Sequence, residues 1–363
     1  MLSAACDRRD GARCQALGRR FARRDSPNYD LSRAAAFFRR GCEAADEHGC
    51  LSLANAMMLG RGVAQEVPLA LALLERLCTG GFADACTNLG TTYLNGSFVV
   101  RDIPRGVALI RAACDGGDDL GCTSLALLYA QHLVPDGASP GTKDDCDRAH
   151  PARCTILGAR TLSGSGVTRD PKRAAELFDQ ACTQSYATAC MLLGMTFAVD
   201  MGGGTGVDLG RAATAFRRAC ELGGAQACNE LAVMVGSGKG VTADTAQAAR
   251  LFEKACDGGS LQACNNVGAM YVTGDGVTKD VARGVKYMEN ACLGGLAASC
   301  NDVGVFYVQG AGVPRDDVRA ATYFVAACSG GDNSGCKNGK LLNDCKHGSA
   351  DACAAFEHVK IVR

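Results

Sequence analysis

Cysteine is the residue whose type and spacing speak first: there are 22 in 363 residues. They fall into eleven pairs: Cys6 with Cys14, Cys42 with Cys50, Cys78 with Cys86, Cys114 with Cys122, Cys146 with Cys154, Cys182 with Cys190, Cys220 with Cys228, Cys256 with Cys264, Cys292 with Cys300, Cys328 with Cys336 and Cys345 with Cys353. Every pair has seven residues between its members. Thiols kept reduced in a cytosol have no reason for such strict pairing, so the pattern reads as eleven structural disulfides in an oxidising compartment. Zinc is the competing chemistry. Its sites favour about two to four residues between paired cysteines and usually recruit histidine. The five histidines, His48, His132, His150, His347 and His358, occupy no repeated position, so neither a metal nor a cofactor is expected.

Nucleophilic catalysis has one candidate, Ser334-Gly335-Cys336-Lys337, with the Ser-x-x-Lys spacing of serine β-lactamases and penicillin-binding enzymes. Such sites also need Ser-Asp-Asn and Lys-Thr-Gly elements to place the base and the oxyanion contacts, and the sequence has neither. Ser334 is expected in a disulfide turn rather than at the start of a helix buried under a sheet. No residue is assigned a catalytic role.

Arginine supplies the candidate binding residues. Arg33, Arg105, Arg173, Arg211, Arg283 and Arg319 each stand nine residues before the first cysteine of a pair. One reading is a basic ladder for an acidic peptide or glycan. The other pairs each arginine with the acid three residues earlier, a contact worth only ~0.2–0.5 kcal/mol on a helix; the acid recurs with it, which favours the pairing. Residues 1 to 42 stand apart, with ten Arg against four Asp, a charged docking surface. Over the whole chain Lys plus Arg and Asp plus Glu are 38 each, so no global field attracts nucleic acid or an anionic membrane. No apolar run approaches the ~20 residues of a membrane span.

The elements that carry these residues repeat. Residues 244 to 279 read as a helix, a turn carrying Cys256 and Cys264, a second helix and a Gly-rich loop, and a shift of 36 residues superposes the next unit. Asp30, Glu66, Asp102, Asp170, Asp208, Asp244, Asp280 and Asp316 begin complete units, each twelve residues before its cysteine, where an acid caps a helix. A small residue eight before the cysteine (Ala34, Gly106, Gly284) and a large one four before it (Phe38, Ile110, Met288) share one helix face. The second helix repeats the device, with Val267, Gly268 and Tyr271 in one unit and Val303, Gly304 and Tyr307 in the next. Its aromatics are expected in the core between repeats. Loops such as GRGV (60–63) and GDGV (274–277) then end the second helix with glycine.

The spacing predicts a partial repeat over 1–29, three repeats over 30–133, an irregular shortened one over 134–169, five over 170–336 and a capping unit over 337–363. The insertion DMGGGTGV (200–207) is a second departure, and the chain is expected to start inside a repeat, with an export signal upstream.

The pattern D-x3-A-x3-F-x3-C-x7-C-x2-L/V-G/A-x2-Y-x2-G-x-G-V resembles Sel1-like repeats, relatives of the tetratricopeptide repeat. The C-x7-C spacing resembles the secreted cysteine-rich type first grouped as Helicobacter cysteine-rich proteins. The resemblance implies an all-α, right-handed α/α superhelical solenoid with a disulfide in each repeat, exported to periplasm or medium. It also implies a scaffold that binds a protein or peptide on a concave surface lined by the first helices; a monomer is expected. The alternative that travels with the family is β-lactam or peptidoglycan binding with weak β-lactamase activity.

Overall fold

The computed structural model describes residues 6, 10–23, 29–134, 146, 151–200, 206–347 and 349. Among them the regular elements are α-helices. The chain condenses into two compact units, Met1–Ala181 and Cys182–Arg363. The first holds α1 (Gly11–Ala22), α2 (Leu31–Glu43), α3 (Glu47–Leu59), α4 (Val67–Thr79), α5 (Ala83–Asn95), α6 (Ile103–Asp115), α7 (Asp119–Ala130), α8 (Pro151–Ser163) and most of α9 (Pro171–Thr183). The second holds α10 (Ala187–Ala198), α11 (Leu209–Glu221), α12 (Ala225–Ser237), α13 (Thr245–Asp257), α14 (Leu261–Thr273), α15 (Val281–Leu293), α16 (Ala297–Gln309), α17 (Asp317–Ser329) and α18 (Asn333–Lys346).

The acid that opens each unit does what its position predicts. Asp30, Asp102, Asp208, Asp244, Asp280 and Asp316 are N-cap residues, and each carboxylate accepts the backbone N–H three residues on at 2.8–3.0 Å. Glu66 departs from this and makes no side-chain cap bond. Its extra methylene changes the reach of the carboxylate, and Pro68 in the first turn removes one of the donors that would need capping.

At the other end, Gly60, Gly96, Gly238, Gly274 and Gly310 are left-handed C-caps with φ of 63–85°. The second glycine of the GxG loop has a further reason. Gly276 has φ +68°, and a Cβ there would lie 2.9 Å from Ala246 N, at the start of the same repeat's first helix. The loop is thereby pressed against the helix pair that it closes.

Second helices pack mostly on the first helix of the following repeat, as α5 on α6, α12 on α13, α14 on α15 and α16 on α17, whereas α3 packs more on its own α2. Small residues set the distance. A Cβ on Gly268 of α14 would sit 2.8 Å from the carbonyl oxygen of Gly284 on α15, so the two backbones cross in contact. Where the first helix carries phenylalanine instead, the ring covers the glycine: Phe178 lies on Gly158, Phe216 on Gly194 and Phe324 on Gly304. Phe178 and Phe324 are fully buried.

Ten of the cysteine pairs are disulfides in the described residues, with Cα atoms 4.3–4.7 Å apart. In the first unit Cys6 is bonded to Cys14, Cys42 to Cys50, Cys78 to Cys86, Cys114 to Cys122 and Cys146 to Cys154. In the second unit Cys182 is bonded to Cys190, Cys220 to Cys228, Cys256 to Cys264, Cys292 to Cys300 and Cys328 to Cys336. Cys345 is also disulfide-bonded, and Cys353 lies outside the described residues.

One detail of the expected placement changes. The sequence puts both cysteines of a unit in the turn between its helices, whereas the structure puts them in the helices themselves. Cys256 is in the last turn of α13 and Cys264 in the first turn of α14. Cys50 of α3, Cys86 of α5, Cys122 of α7, Cys154 of α8, Cys190 of α10, Cys228 of α12 and Cys300 of α16 stand likewise in the first turn of a second helix. The cause is the left-handed residue after each first helix, such as Gly259 at φ +94°, which reverses the chain within a few residues and leaves no room for a longer turn. Residues 135–145 and 147–150 of the irregular repeat over 134–169, 201–205 of the insertion over 200–207, and 348 and 350–363 of the capping unit over 337–363 lie outside the described residues.

Candidate interaction surface

The arginines nine residues before the cysteines lie near the N-terminal ends of the first helices, on the side away from the core. For five of the six, all but Arg173, the partner is an aromatic ring on the preceding second helix. The guanidinium carbon lies 4.3 Å from the Tyr93 centroid for Arg105, 3.9 Å from Phe197 for Arg211 and 4.2 Å from Tyr271 for Arg283. Looser versions join Arg319 to Tyr307 at 5.7 Å and Arg33 to Phe21 at 5.9 Å. A cation over a ring face is held by the ring quadrupole, at ~0.5–1 kcal/mol where exposed.

Carboxylates complete the clamp. Arg105 pairs with Glu75 at 2.7 Å and Arg283 with Glu253 at 2.9 Å, in both cases on the first helix of the preceding repeat. The expected pairing with the acid three residues earlier occurs for Arg33 with Asp30 at 3.3 Å and Arg319 with Asp316 at 3.5 Å. Arg173 instead meets Glu176 at 2.8 Å.

In the second unit the clamp grows into a network that appears twice, one repeat apart. Glu253 Oε1 accepts from Tyr271 at 2.7 Å and Tyr287 at 3.3 Å, and the two rings stack with centroids 5.7 Å apart. Glu289 Oε1 accepts from Tyr307 at 2.9 Å and Tyr323 at 3.1 Å, over rings 5.6 Å apart. Burial, then the hydrogen bond and charge of Glu253, push the Tyr271 phenol up to about 12. Burial, then the charge and hydrogen bond of Glu289, do the same for Tyr323, also to about 12. These phenols stay protonated and donate at any physiological pH.

On their other side the second helices are tied by short polar side chains. Asn266 donates to Asn229 at 3.2 Å, Ser299 to Asn265 at 2.7 Å and Asn338 to Asn301 at 2.8 Å. In the first unit the Thr87 hydroxyl donates to Asp118.

A match to the Sel1 repeat profile covers residues 48–82, 83–118, 154–186, 225–260, 261–296 and 297–332. The chain belongs to the Sel1 repeat family. Among solved structures, a Sel1 repeat protein from Oxalobacter formigenes is 23% identical, over 94% of this chain and 90% of that one, with TM-score 0.49. The protective antigen c5321 of uropathogenic Escherichia coli, with an SLR fold, is 22% identical over 98% and 92%, with TM-score 0.35. Cysteine-rich protein B of Helicobacter pylori is 27% identical over 38% of this chain and 97% of its own, with TM-score 0.31. No curated protein matches the chain.

For this Sel1 repeat chain the clamps separate the side chains that hold repeats together from those that do not. An arginine follows an aromatic by twelve residues at Phe21 and Arg33, Tyr93 and Arg105, Tyr271 and Arg283, and Tyr307 and Arg319, and by fourteen across the insertion at Phe197 and Arg211. Where Met57 and Val235 replace the aromatic, Leu69 and Gln247 replace the arginine; Thr161 with Arg173, and Tyr129 with no arginine before Cys146, are the exceptions. That covariation is legible in the sequence once the arginine is compared with the preceding helix rather than with its own. A second feature carries no motif to mark it, the loop GSFV (96–99), where Phe98 replaces the second glycine of GxGV. Val99 and Val100 line a depression of about 580 Å³ with Tyr93, Arg101 and Pro104, and Val100 is 90% exposed. Ser334 lies in the first turn of α18, not in the turn before it as the sequence suggested. Among the described residues there is no group of three or more His, Cys, Asp or Glu arranged to hold a metal, and no helix long and apolar enough to cross a membrane.

Proposed function

We propose that this Sel1 repeat chain is an exported scaffold that binds a protein or peptide on the outward side of its first helices. The observation that carries the reading is the clamp itself. Tyr271, Arg283 and Glu253 fix one first helix against the next while leaving neighbouring side chains of those helices exposed, as at Arg250 on α13 and Lys286 on α15. Rigid elements with exposed side chains bind without a large ordering penalty. The disulfides support an oxidising compartment, periplasm or medium, where such bridges persist.

The test is site-specific photo-crosslinking in the producing cell. A photoreactive residue is placed at Arg217, Arg250 or Lys286 on first helices, and at Val233 or Gln262 on second helices. Products confined to the first-helix positions are expected. Products from the second helices alone, or equally from both, would remove the reading.

A further inference from the structure

The clamps are absent at one junction where the chain is richest in arginine. A step of 36 residues back from Glu75 and Arg105 leads to Arg39 and Leu69. In the later repeat these positions form an ion pair of 2.7 Å between successive first helices. In the earlier one the acid has become a cation and the cation a leucine, so that pair cannot form between α2 and α4. Leu69 is 56% exposed, a large apolar side chain where the other repeats mostly place a guanidinium.

On α2 at this junction three arginines, Arg33, Arg39 and Arg40, stand against one acid, Glu43. Phe21 and Phe37 stack with centroids 5.5 Å apart, and Arg33 and Arg40 lie 5.9 Å from the Phe21 and Phe37 centroids respectively. Arg39 and Arg40 are exposed at the C-terminal end of α2. Two nearby acids serve the helix termini: Asp30 caps α2 and also pairs with Arg33 at 3.3 Å, and Asp46 caps α3. Glu75, which stands on α4 beyond Leu69, is held by Arg105.

We infer that Arg33, Phe37, Arg39, Arg40, Leu69 and Leu73 form the docking patch of the first unit for an acidic peptide segment carrying an apolar side chain. Charge complementarity selects the acid, with guanidinium groups positioned to fork onto carboxylates. Leu69 selects a peptide over a plain polyanion, because a sulfated glycan offers nothing to an exposed leucine. The inference rests on the first-helix face being the binding face and names the partner chemistry there.

The experiment uses the oxidised full chain and a fluorescein-labelled peptide rich in Glu with isolated Leu residues, read by fluorescence anisotropy. A Lys-rich peptide with the same leucines is the control. Binding of the acidic peptide alone is expected. The double variant Arg39→Glu, Arg40→Glu should weaken it about tenfold or more. Leu69→Gln, the residue the chain itself uses at position 247, should weaken it by a smaller factor and leave binding of a sulfated polysaccharide unchanged. Circular dichroism confirms that these surface variants fold. Absence of peptide binding, indifference to the double variant, or an equal loss from Arg217→Glu in the second unit would overturn the inference. So would a polysaccharide bound as tightly as the peptide with Leu69→Gln silent, since the patch would then read charge alone. If the peptide fails while crosslinks from first-helix positions persist, this patch is wrong and the wider reading survives.

Discussion

The guanidinium of Arg283 on α15 lies 4.2 Å from the centroid of the Tyr271 ring on α14, so the contact crosses from one repeat to the next. Both residues also bond Glu253, on a third helix, α13. A double-mutant cycle between Arg283→Met and Tyr271→Leu should therefore give a coupling of about 0.5–1 kcal/mol in urea unfolding. Arg250→Met, on the same kind of helix but outside the clamp, should show a coupling near zero with Tyr271→Leu. Equal couplings for the two arginines would mean that the stacking contributes nothing specific.

Much of this architecture was legible in the residues alone, for physical reasons. The 36-residue period, the capping acids and the glycine pairs are local signals, each set by backbone geometry within one repeat. Cys256 and Cys264 could be paired on paper because their separation of 8 leaves them on adjoining helix ends. The clamp was harder to see because it is non-local: Glu253, Tyr271 and Arg283 are spread over three helices, with 30 positions between the acid and the arginine. The acid at Asp280 offered a closer partner for Arg283, but it caps the helix while the guanidinium reaches Glu253. The identity of the partner leaves no such trace, since exposed side chains are constrained by a molecule the chain does not encode.

The disulfide between Cys256 and Cys264 closes a loop of about nine residues, for which the chain-entropy account gives roughly 2.6 kcal/mol. The double variant Cys256→Ser, Cys264→Ser should lose about 2–3 kcal/mol in chemical denaturation. The loss should concentrate at α13 and α14 in hydrogen exchange, because each repeat touches only its neighbours. Non-reducing peptide mapping should recover the same local pairing in every repeat, as for Cys220 with Cys228 and Cys292 with Cys300. Bridges between distant repeats would contradict the structure.

Gly268 sets two effects against each other. Replacing it with alanine improves helix propensity by up to ~1 kcal/mol. The added Cβ, however, would lie 2.8 Å from the Gly284 carbonyl oxygen, and backbone there cannot swing aside as a side chain can. Overpacking of this kind costs about 1–3 kcal/mol, so Gly268→Ala should destabilise. Gly210→Ala on α11 meets no atom closer than 3.5 Å and should be neutral or slightly stabilising. If both substitutions raise the unfolding midpoint, close backbone crossing is not what the glycine at 268 provides.

Asp302 makes the stability of the second unit depend on pH. It is 9% exposed on α16, and burial pushes its carboxyl up to about 7, with a hydrogen bond from Asn301 opposing and the charge of Asp332 adding. The unfolded chain holds this group near the ordinary carboxyl value of about 3.9. Between the two values the folded state binds a proton that the unfolded state does not, so stability falls as pH rises. The contribution is fully present below about pH 4 and is lost as pH rises through about 7. At ~1.4 kcal/mol per unit the shift corresponds to a few kcal/mol. Asp302→Asn keeps the shape of the neutral acid and cannot ionise. Urea unfolding between about pH 5 and pH 8 should show a downward slope for the parent chain and a flatter line for the variant. The variant should be the more stable of the two at the alkaline end by about 2 kcal/mol or more, with the protection appearing in α16 and α18 by hydrogen exchange. Parallel pH profiles would show that the Asp302 carboxyl ionises freely in the folded chain.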